Sequence, residues 1–359
     1  MAIVAHIYPF IVGVDTHARN HVLSILDCST RAQVLCHSFT NTPKGHARAQ
    51  AWIARHASTE AGKVLVSMEG TASYGARFRV FLEQAGYRVV EAPRLLAHGR
   101  KKLAKNDALD AFQIAARTLG KDETELTIPR QGNHREALRI LVTARKQLTR
   151  TTTVHINSLT ALTRCADLGV DARKALSVTQ IHQLATLEAH PDEAIDVLVA
   201  KQEARRLAKA IIDARAQLAE NQTQLAILVQ LVAPALLELS GVGPVTAAQM
   251  IISYSHAGRV KSEAAFAALA GTSPIPASSG NKIRYRLNRG GDRALNNALH
   301  TIALVRLRND EQTREYMKKR LAEGKTKRET IRLIKRYLAR KIYRLLTKEL
   351  TKKQIALAA

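Results

Sequence analysis

Ile11-Val12-Gly13-Val14-Asp15 is the stretch on which the reading of the N-terminal third turns. Apolar and small residues run straight into an aspartate, and a second apolar run, His21 to Leu26, follows after the polar segment Thr16–Asn20. Short uninterrupted apolar runs read as buried strands, and the polar segment reads as the link between hairpin partners. A carboxylate that ends a buried strand is costly unless it is hydrogen-bonded, ion-paired or on a metal. Taken alone, Asp15 also reads as a turn-forming residue, so its meaning depends on which groups join it.

Gln33–Phe39 is a third strand, and Asn41-Thr42-Pro43 caps a helix across Lys44–Ala57 with proline near its first position. Lys63–Met68 is another buried run that ends in a carboxylate, Glu69, followed by Gly70. A helix over Tyr74–Ala85, a strand over Tyr87–Ala92 and a helix over Asp107–Leu119 complete the pattern. Three antiparallel strands followed by strand–helix alternation define an α/β domain with a mixed sheet, in the order of the ribonuclease H type of fold. This domain is expected to span 8–122.

Residues 121–135, with Pro129, Gly132 and Asn133, read as a linker, and beyond them the chain is expected to be all-α. One helix is expected over His134–Cys165, its inner stripe including Arg145, Thr152 and His155. A second is expected from about Asp192 to Val232. Its positions Val197, Ala200, Ala204, Leu207, Ile211, Ala214, Leu218, Asn221, Leu225 and Leu228 alternate by three and four. That is a coiled-coil seam with one polar position, Asn221, able to set register; an ordinary amphipathic bundle helix is the alternative. The span 123–233 is thus a helical spacer or oligomerisation arm. The remainder, 234–359, is helical with two Gly-rich interruptions, and Lys318–Lys353 carries 15 Lys/Arg against three Glu. Ile331, Ile334, Leu338, Ile342 and Leu345 recur through it at helical spacing, so this tail is a folded basic amphipathic helix.

Composition restricts the function. Lys plus Arg is 55 against 30 acidic residues, a formal net charge of +25, which calls for a polyanionic partner, nucleic acid first. No apolar run approaches the roughly 20 residues of a membrane span, and the N-terminus lacks a signal-peptide pattern. A cytoplasmic, nucleoid-associated protein is the expectation. Cys28, Cys36 and Cys165 show no C-x-x-C spacing, which gives no support for a zinc site or a disulfide framework. Aromatic residues are only 4% of the chain, which argues against base stacking as the main binding mode.

Three constellations carry chemistry. Asp15 and Glu69 end buried strands, while Asp107 and Asp110 stand at i and i+3 at the start of a helix, where like charges repel unless a cation lies between them. An N-cap role accounts for Asp107 but not for Asp110. Four such carboxylates make a hard-oxygen set suited to Mg²⁺ or Mn²⁺, able to support phosphoryl transfer; scattered surface acids are the alternative. Second, Gly241-Val242-Gly243-Pro244 opens a helix, with backbone N–H groups of Gly241 and Gly243 placed to meet a phosphate, in the manner of a helix–hairpin–helix motif; a plain interhelical turn reads equally well. Third, the loop Thr272–Lys282 contains Ser278-Ser279-Gly280 and is followed by basic Arg284, Arg286, Arg289 and Arg293, with Lys282 inside it. A serine hydroxyl is a weak nucleophile that needs activation, and as a bare pattern Ser-Ser-Gly is common in loops.

Together these motifs resemble the DEDD transposases of insertion sequences, which have a RuvC-like N-terminal domain and include Piv-type DNA invertases. The carriers are Val-Gly-Val-Asp15-Thr, Met-Glu69-Gly-Thr-Ala-Ser-Tyr and Lys105-Asn-Asp107-Ala-Leu-Asp110-Ala. Downstream stand Gly241-Val-Gly-Pro, Phe266-Ala-Ala-Leu-Ala-Gly271-Thr, Ser279-Gly280 and Arg289-Gly-Gly-Asp-Arg-Ala-Leu. The resemblance implies that Asp15, Glu69, Asp107 and Asp110 bind Mg²⁺ and that Ser279, with Ser278 as neighbour, attacks DNA to form a covalent serine–phosphate link. It further implies double-stranded DNA as substrate, a structured bridge RNA as guide, and dimers that assemble into tetramers. The sequence departs from the family in Asn281-Lys282 after the Ser-Gly pair, and in the segment Arg289-Gly-Gly-Asp292 before the helix start. A metal-dependent junction resolvase that uses water, an invertase without guide RNA, and a non-enzymatic nucleic-acid binder are the rival readings.

Overall fold

The computed structural model describes residues 2–93, 107–188, 190–276 and 285–358. They form two compact units, 1–130 and 131–359.

The first unit opens with a short helix, α1 (Val4–Ile7), and a meander of β1 (Phe10–Thr16), β2 (Asn20–Asp27) and β3 (Gln33–Thr40). Helix α2 (Pro43–His56) then leads to β4 (Val64–Met68), α3 (Ala76–Gln84), β5 (Arg88–Glu91) and α4 (Asp107–Leu119). The strand order is β3-β2-β1-β4-β5, with β1–β2 and β2–β3 antiparallel and β1–β4 and β4–β5 parallel. This is the mixed α/β sheet read from the sequence. Thr42 starts α2 by accepting from the Gly45 N–H at 3.1 Å, with Pro43 in the first turn, where its missing N–H costs nothing.

Strand alternation divides the core into two layers. Val12, Val14, Val64, Val66 and Met68 face α2 and α3, packing on Ile53, Phe78 and Leu82. Ile11, Leu65 and Val90 face the other way, onto Val4, Ala115 and Leu126. Burial on both faces explains why β1 and β4 read as continuous apolar runs. The segment expected as a linker from 121 belongs to this unit. Lys121 O accepts from Val4 N at 2.9 Å, Thr127 O accepts from Glu91 N at 2.8 Å, and Leu126 is buried. Its polar composition hid these backbone ties.

The second unit begins with α5 (Asn133–Cys165), α6 (Val178–Ala185) and α7 (Ile195–Val232). Helices α8 (Pro244–Tyr254) and α9 (Glu263–Leu269) follow, then a two-residue pairing of β6 (Ile275–Pro276) with β7 (Tyr285–Arg286), and α10 (Arg293–Asn309), α11 (Glu311–Ala322) and α12 (Lys327–Ala358). The apolar seam of α7 is covered within the chain. Ala200, Ala204, Leu207 and Ile211 pack on Leu159 of α5 and on Ile181 and Leu184 of α6. Leu225, Val229 and Val232 join Leu138 and Val142 in the large C-terminal core, with α8, α9, α10 and α12. One core therefore runs across the boundary expected at 233/234. Asn221 is buried in the seam, donating to Leu141 O at 3.0 Å, while Arg145 donates to Leu218 O at 3.0 Å. In α12, Ile334, Leu338, Ile342 and Leu346 are buried, as its helical spacing implies; of the basic residues between them Lys341 and Arg344 are exposed, Arg336 and Arg340 half-buried and Lys335 buried.

Candidate metal centre and basic surface

The register of the parallel pair β1–β4 aligns Val14 with Met68, so the next residues, Asp15 and Glu69, stand side by side at the carboxyl ends of adjacent strands. That end of an open α/β sheet is where ligands bind. Glu69 N–H donates to Val14 O at 3.1 Å, and Thr16 Oγ1 donates to Glu69 O at 3.1 Å, which holds the two ends together. Alternation along β1 places Asp15 on the same face as Ile11 and Gly13, the face that α4 covers. Thr118 of α4 donates to Ser67 Oγ of β4 at 2.7 Å.

Gly13 lets α4 come this close. A Cβ there would lie 2.0 Å from Ala111 O and 2.7 Å from Ala115 N. The backbone of α4 thus rests directly on β1, and its first turn brings Asp107 and Asp110 toward the strand ends.

His17, two residues beyond Asp15 and so on the same side of the extended chain, completes the cluster. Its Nε2 is 3.1 Å from Asp15 Oδ2 and 3.6 Å from Asp107 Oδ2, and ligand atoms of all three residues lie within 4.8 Å of one another. The sequence reading passed over His17; the signal was the Asp15-x-His17 spacing at a strand end. Burial raises the Asp15 carboxyl above the usual carboxylate range, His17 lowers it, and Asp107 and Asp110 push it up again. Glu69 is likewise raised by burial, then by Asp15; Arg117 opposes and Asp110 adds. Carboxylates that raise one another in this way form an electron-rich pocket that a divalent cation would relieve. The donors, carboxylate oxygens with one imidazole, fit Mg²⁺ and fit Mn²⁺ better than oxygen ligands alone would.

In the second unit, Gly241 adopts φ +78°, and a Cβ there would approach Arg306 Cγ to 2.9 Å. The Gly241–Gly243 turn therefore packs against α10. Gly243 N–H donates to Thr246 Oγ1 at 3.1 Å, so this N–H, expected to meet a phosphate, is already engaged. Ser278, Ser279, Lys282 and Arg284 lie outside the described residues. The flanking Arg286, Arg289 and Arg293 are described and exposed. A buried polar network underlies them. Asp292 caps α10 by accepting from Ala294 N and Leu295 N, and its other oxygen accepts from Ser253 Oγ at 2.7 Å. Asn296 donates to Ala270 O at 2.6 Å and accepts from Lys335 Nζ at 2.7 Å. Lys335 is buried, and its ammonium is lowered by burial first and by Arg332 second. The departure at Asp292 is thus accommodated as a helix cap.

The class of this protein is that of a transposase, as matches to two family models show. Residues 12–164 match the model of a DEDD transposase of the IS110 type, and residues 233–318 match the model described as "Transposase IS116/IS110/IS902 family". The chain belongs to this IS110/IS116 transposase family and is a DNA transposase/recombinase. No individual curated protein matches it significantly. Among the described residues, no helix is long and apolar enough to cross a membrane.

Proposed function

We propose that this transposase cuts and rejoins DNA through a serine, with Asp15, Glu69, Asp107 and Asp110 holding Mg²⁺ or Mn²⁺ on a RuvC-like domain. The observation that supports the reading best is the convergence at one sheet end of Asp15, at the end of β1, and Asp107, in the first turn of α4, with His17 between them. His17 is a further ligand or a proton-holding neighbour of Asp15. When bound, the metal supplies Lewis-acid stabilisation of charge on the reacting phosphate.

By family resemblance the nucleophile is Ser279, with Ser278 adjacent. Its Oγ bonds to phosphorus, its proton is lost to a base, and the P–O bond to the leaving strand breaks, freeing a hydroxyl. Attack of a strand hydroxyl on the serine phosphodiester reverses the step and restores the serine. Residues 8–122 would then be the catalytic acid domain, 123–233 a helical arm, and 234–359 the serine domain. Arg286, Arg289 and Arg293, with Lys282, Arg284 and the backbone at Gly241, would hold DNA phosphates, Gly243 serving to start α8 because its N–H is taken by Thr246. A structured bridge RNA would select the target. Assembly into dimers and tetramers would use the outer sides of the long helices, where Ile140, Val154, Val199 and Ile227 are exposed, because the coiled-coil-like seam is occupied internally. The proposed setting is the cytoplasm, in association with the nucleoid.

A nicked DNA substrate that traps a covalent protein–DNA adduct tests the nucleophile. Ser279→Ala should lose both adduct and strand exchange while keeping nucleic-acid binding, and Asp15→Ala should lose metal-dependent cleavage. Wild-type exchange by Ser279→Ala overturns the assignment. Metal-dependent cleavage by the wild type without any adduct points instead to a resolvase that uses water. Sequencing RNA that co-purifies with the protein tests guidance: one defined species supports it, and random cellular RNA favours an invertase without a guide.

A further inference from the structure

Helices α11 and α12 build a second basic feature, which at Arg306 borders the turn at Gly241. Between them runs an open groove of about 340 Å³, lined by Tyr316, Tyr337, Leu338 and Lys341 with Arg306 at one side. This is at the lower end of the roughly 300–1,000 Å³ typical of ligand sites. A second depression continues along α12 past Tyr337 and Lys341 to Arg344 and Lys348. Residues 337, 341, 344 and 348 follow one helical stripe about 16 Å long, at 1.5 Å per residue.

The two tyrosines are placed for stacking. Tyr316 and Tyr337 meet edge to face at 6.2 Å, and each carries a guanidinium over its ring, Arg320 at 5.0 Å and Arg340 at 5.7 Å from the centroids. Tyr337 is nevertheless 63% exposed, an uncommon setting for a large aromatic side chain in a chain with eight tyrosines. Three of the acids nearby are already engaged. Asp310 pairs with Arg306, Glu323 with Arg320, and Glu263 with Arg336, Arg340 and Arg344. Among the described residues no carboxylate pairs with Lys341 or Lys348.

We infer that this groove binds an unpaired segment of nucleic acid, one base stacking on Tyr337 and its backbone following Lys341 and Lys348. The combination of exposed ring faces, cations over them and unneutralised lysines along one line calls for a ligand that alternates flat π-surfaces with negative charge. A duplex keeps its base faces stacked inside and offers only its phosphates. A second copy of this chain would bring lysines against lysines. The inference rests on nucleic acid as the partner of a transposase and is independent of the serine chemistry.

The test uses the full-length protein with fluorescent single-stranded oligonucleotides, ribo- and deoxyribo-, containing one 2-aminopurine, and a duplex of matching length. Tyr337→Ala should weaken single-strand binding by about 5- to 150-fold, the range for removing one stacking aromatic, and abolish the 2-aminopurine quenching. Tyr337→Phe should retain both, duplex binding should change less than twofold, and the two sugar types show which strand is preferred. Equal losses on single strands and duplex, or unchanged quenching in Tyr337→Ala, would overturn the inference. So would a change in oligomeric mass in Tyr337→Ala with binding intact, which would mark the groove as a self-association face. If the groove passes and Asp15→Ala still cleaves DNA, the metal-site reading fails alone. If wild-type protein cleaves DNA yet shows no single-strand quenching, the groove fails alone.

Discussion

Gly13→Ala is the sharpest probe of how the candidate metal centre is assembled. The added methyl carbon would begin 2.0 Å from Ala111 O, whereas ordinary contacts start at 3.4 Å, so α4 must retreat from β1 by about 1.4 Å at this point. The opposing atoms are backbone, and no rotamer change relieves them. Overpacking of this kind costs about 1–3 kcal/mol, which the first unit should survive. Asp107 lies one helical turn before Ala111 and moves with the helix, and a displacement of about 1 Å at a reacting centre lowers rate roughly 100-fold. Mn²⁺ titration by calorimetry on the full-length protein should show weakened binding, and DNA cleavage should fall about 100-fold with the circular dichroism spectrum retained. Ala115→Gly in the same background should not rescue, because the closest clash is with a carbonyl oxygen. Wild-type metal affinity and cleavage in Gly13→Ala would refute the placement of α4 against β1.

Other perturbations follow from the same contacts. His21 is buried against the rings of His46 and Phe78, and its imidazole is pushed down to about 4, by burial first and by His46 second. It folds neutral, while in the unfolded chain it gains a proton below about 6.5. The first unit should therefore keep its full stability above that pH and lose on the order of 3 kcal/mol as pH falls toward 4. Trp52, the only tryptophan, reports urea melts of this unit, and His21→Phe should flatten their pH dependence between 6.5 and 4. Asn221→Leu removes the cross-helix bond to the Leu141 carbonyl, which keeps its own helical partner, and should cost about 0.5–1.5 kcal/mol. The loss should be read by circular dichroism, with Trp52 fluorescence unchanged. Binding to duplex DNA should weaken steeply with salt, and Arg293→Ala should reduce the log–log slope by about 1 if Arg293 meets a phosphate; an unchanged slope removes it from the interface.

Much of the secondary structure was legible because the two hydrophobic periods differ. The helix Asp107–Leu119 and the start and end of β4 follow from apolar spacing and from where polar residues interrupt it. Asp15 and Glu69 were legible as candidates because carboxylates at buried strand ends are expensive, and Asp107 and Asp110 because like charges at i and i+3 of one helix repel. His17 was not, since an exposed histidine after a strand acquires meaning only when α4 carries Asp107 to within 3.6 Å of it. The α7 seam was legible as a buried stripe, but a heptad does not say whose helix covers it. Here α5 and α6 of the same chain do. The segment 121–128 looked like a linker because backbone hydrogen bonds to Val4 and Glu91 leave no mark on side-chain composition.

Local chemistry thus determined what kind of element each stretch forms, that the chain seeks a polyanion, and which acids are candidates for a metal. Tertiary structure decided which of these groups meet. Residue spacing encodes the face of a strand or helix, whereas proximity between strand β1 and helix α4 depends on a backbone approach that Gly13 permits from nearly a hundred positions away. The stretch Ile11–Asp15 therefore carries two messages: its apolar residues specify the strand, and its one glycine specifies the distance at which the acids of α4 stand from Asp15.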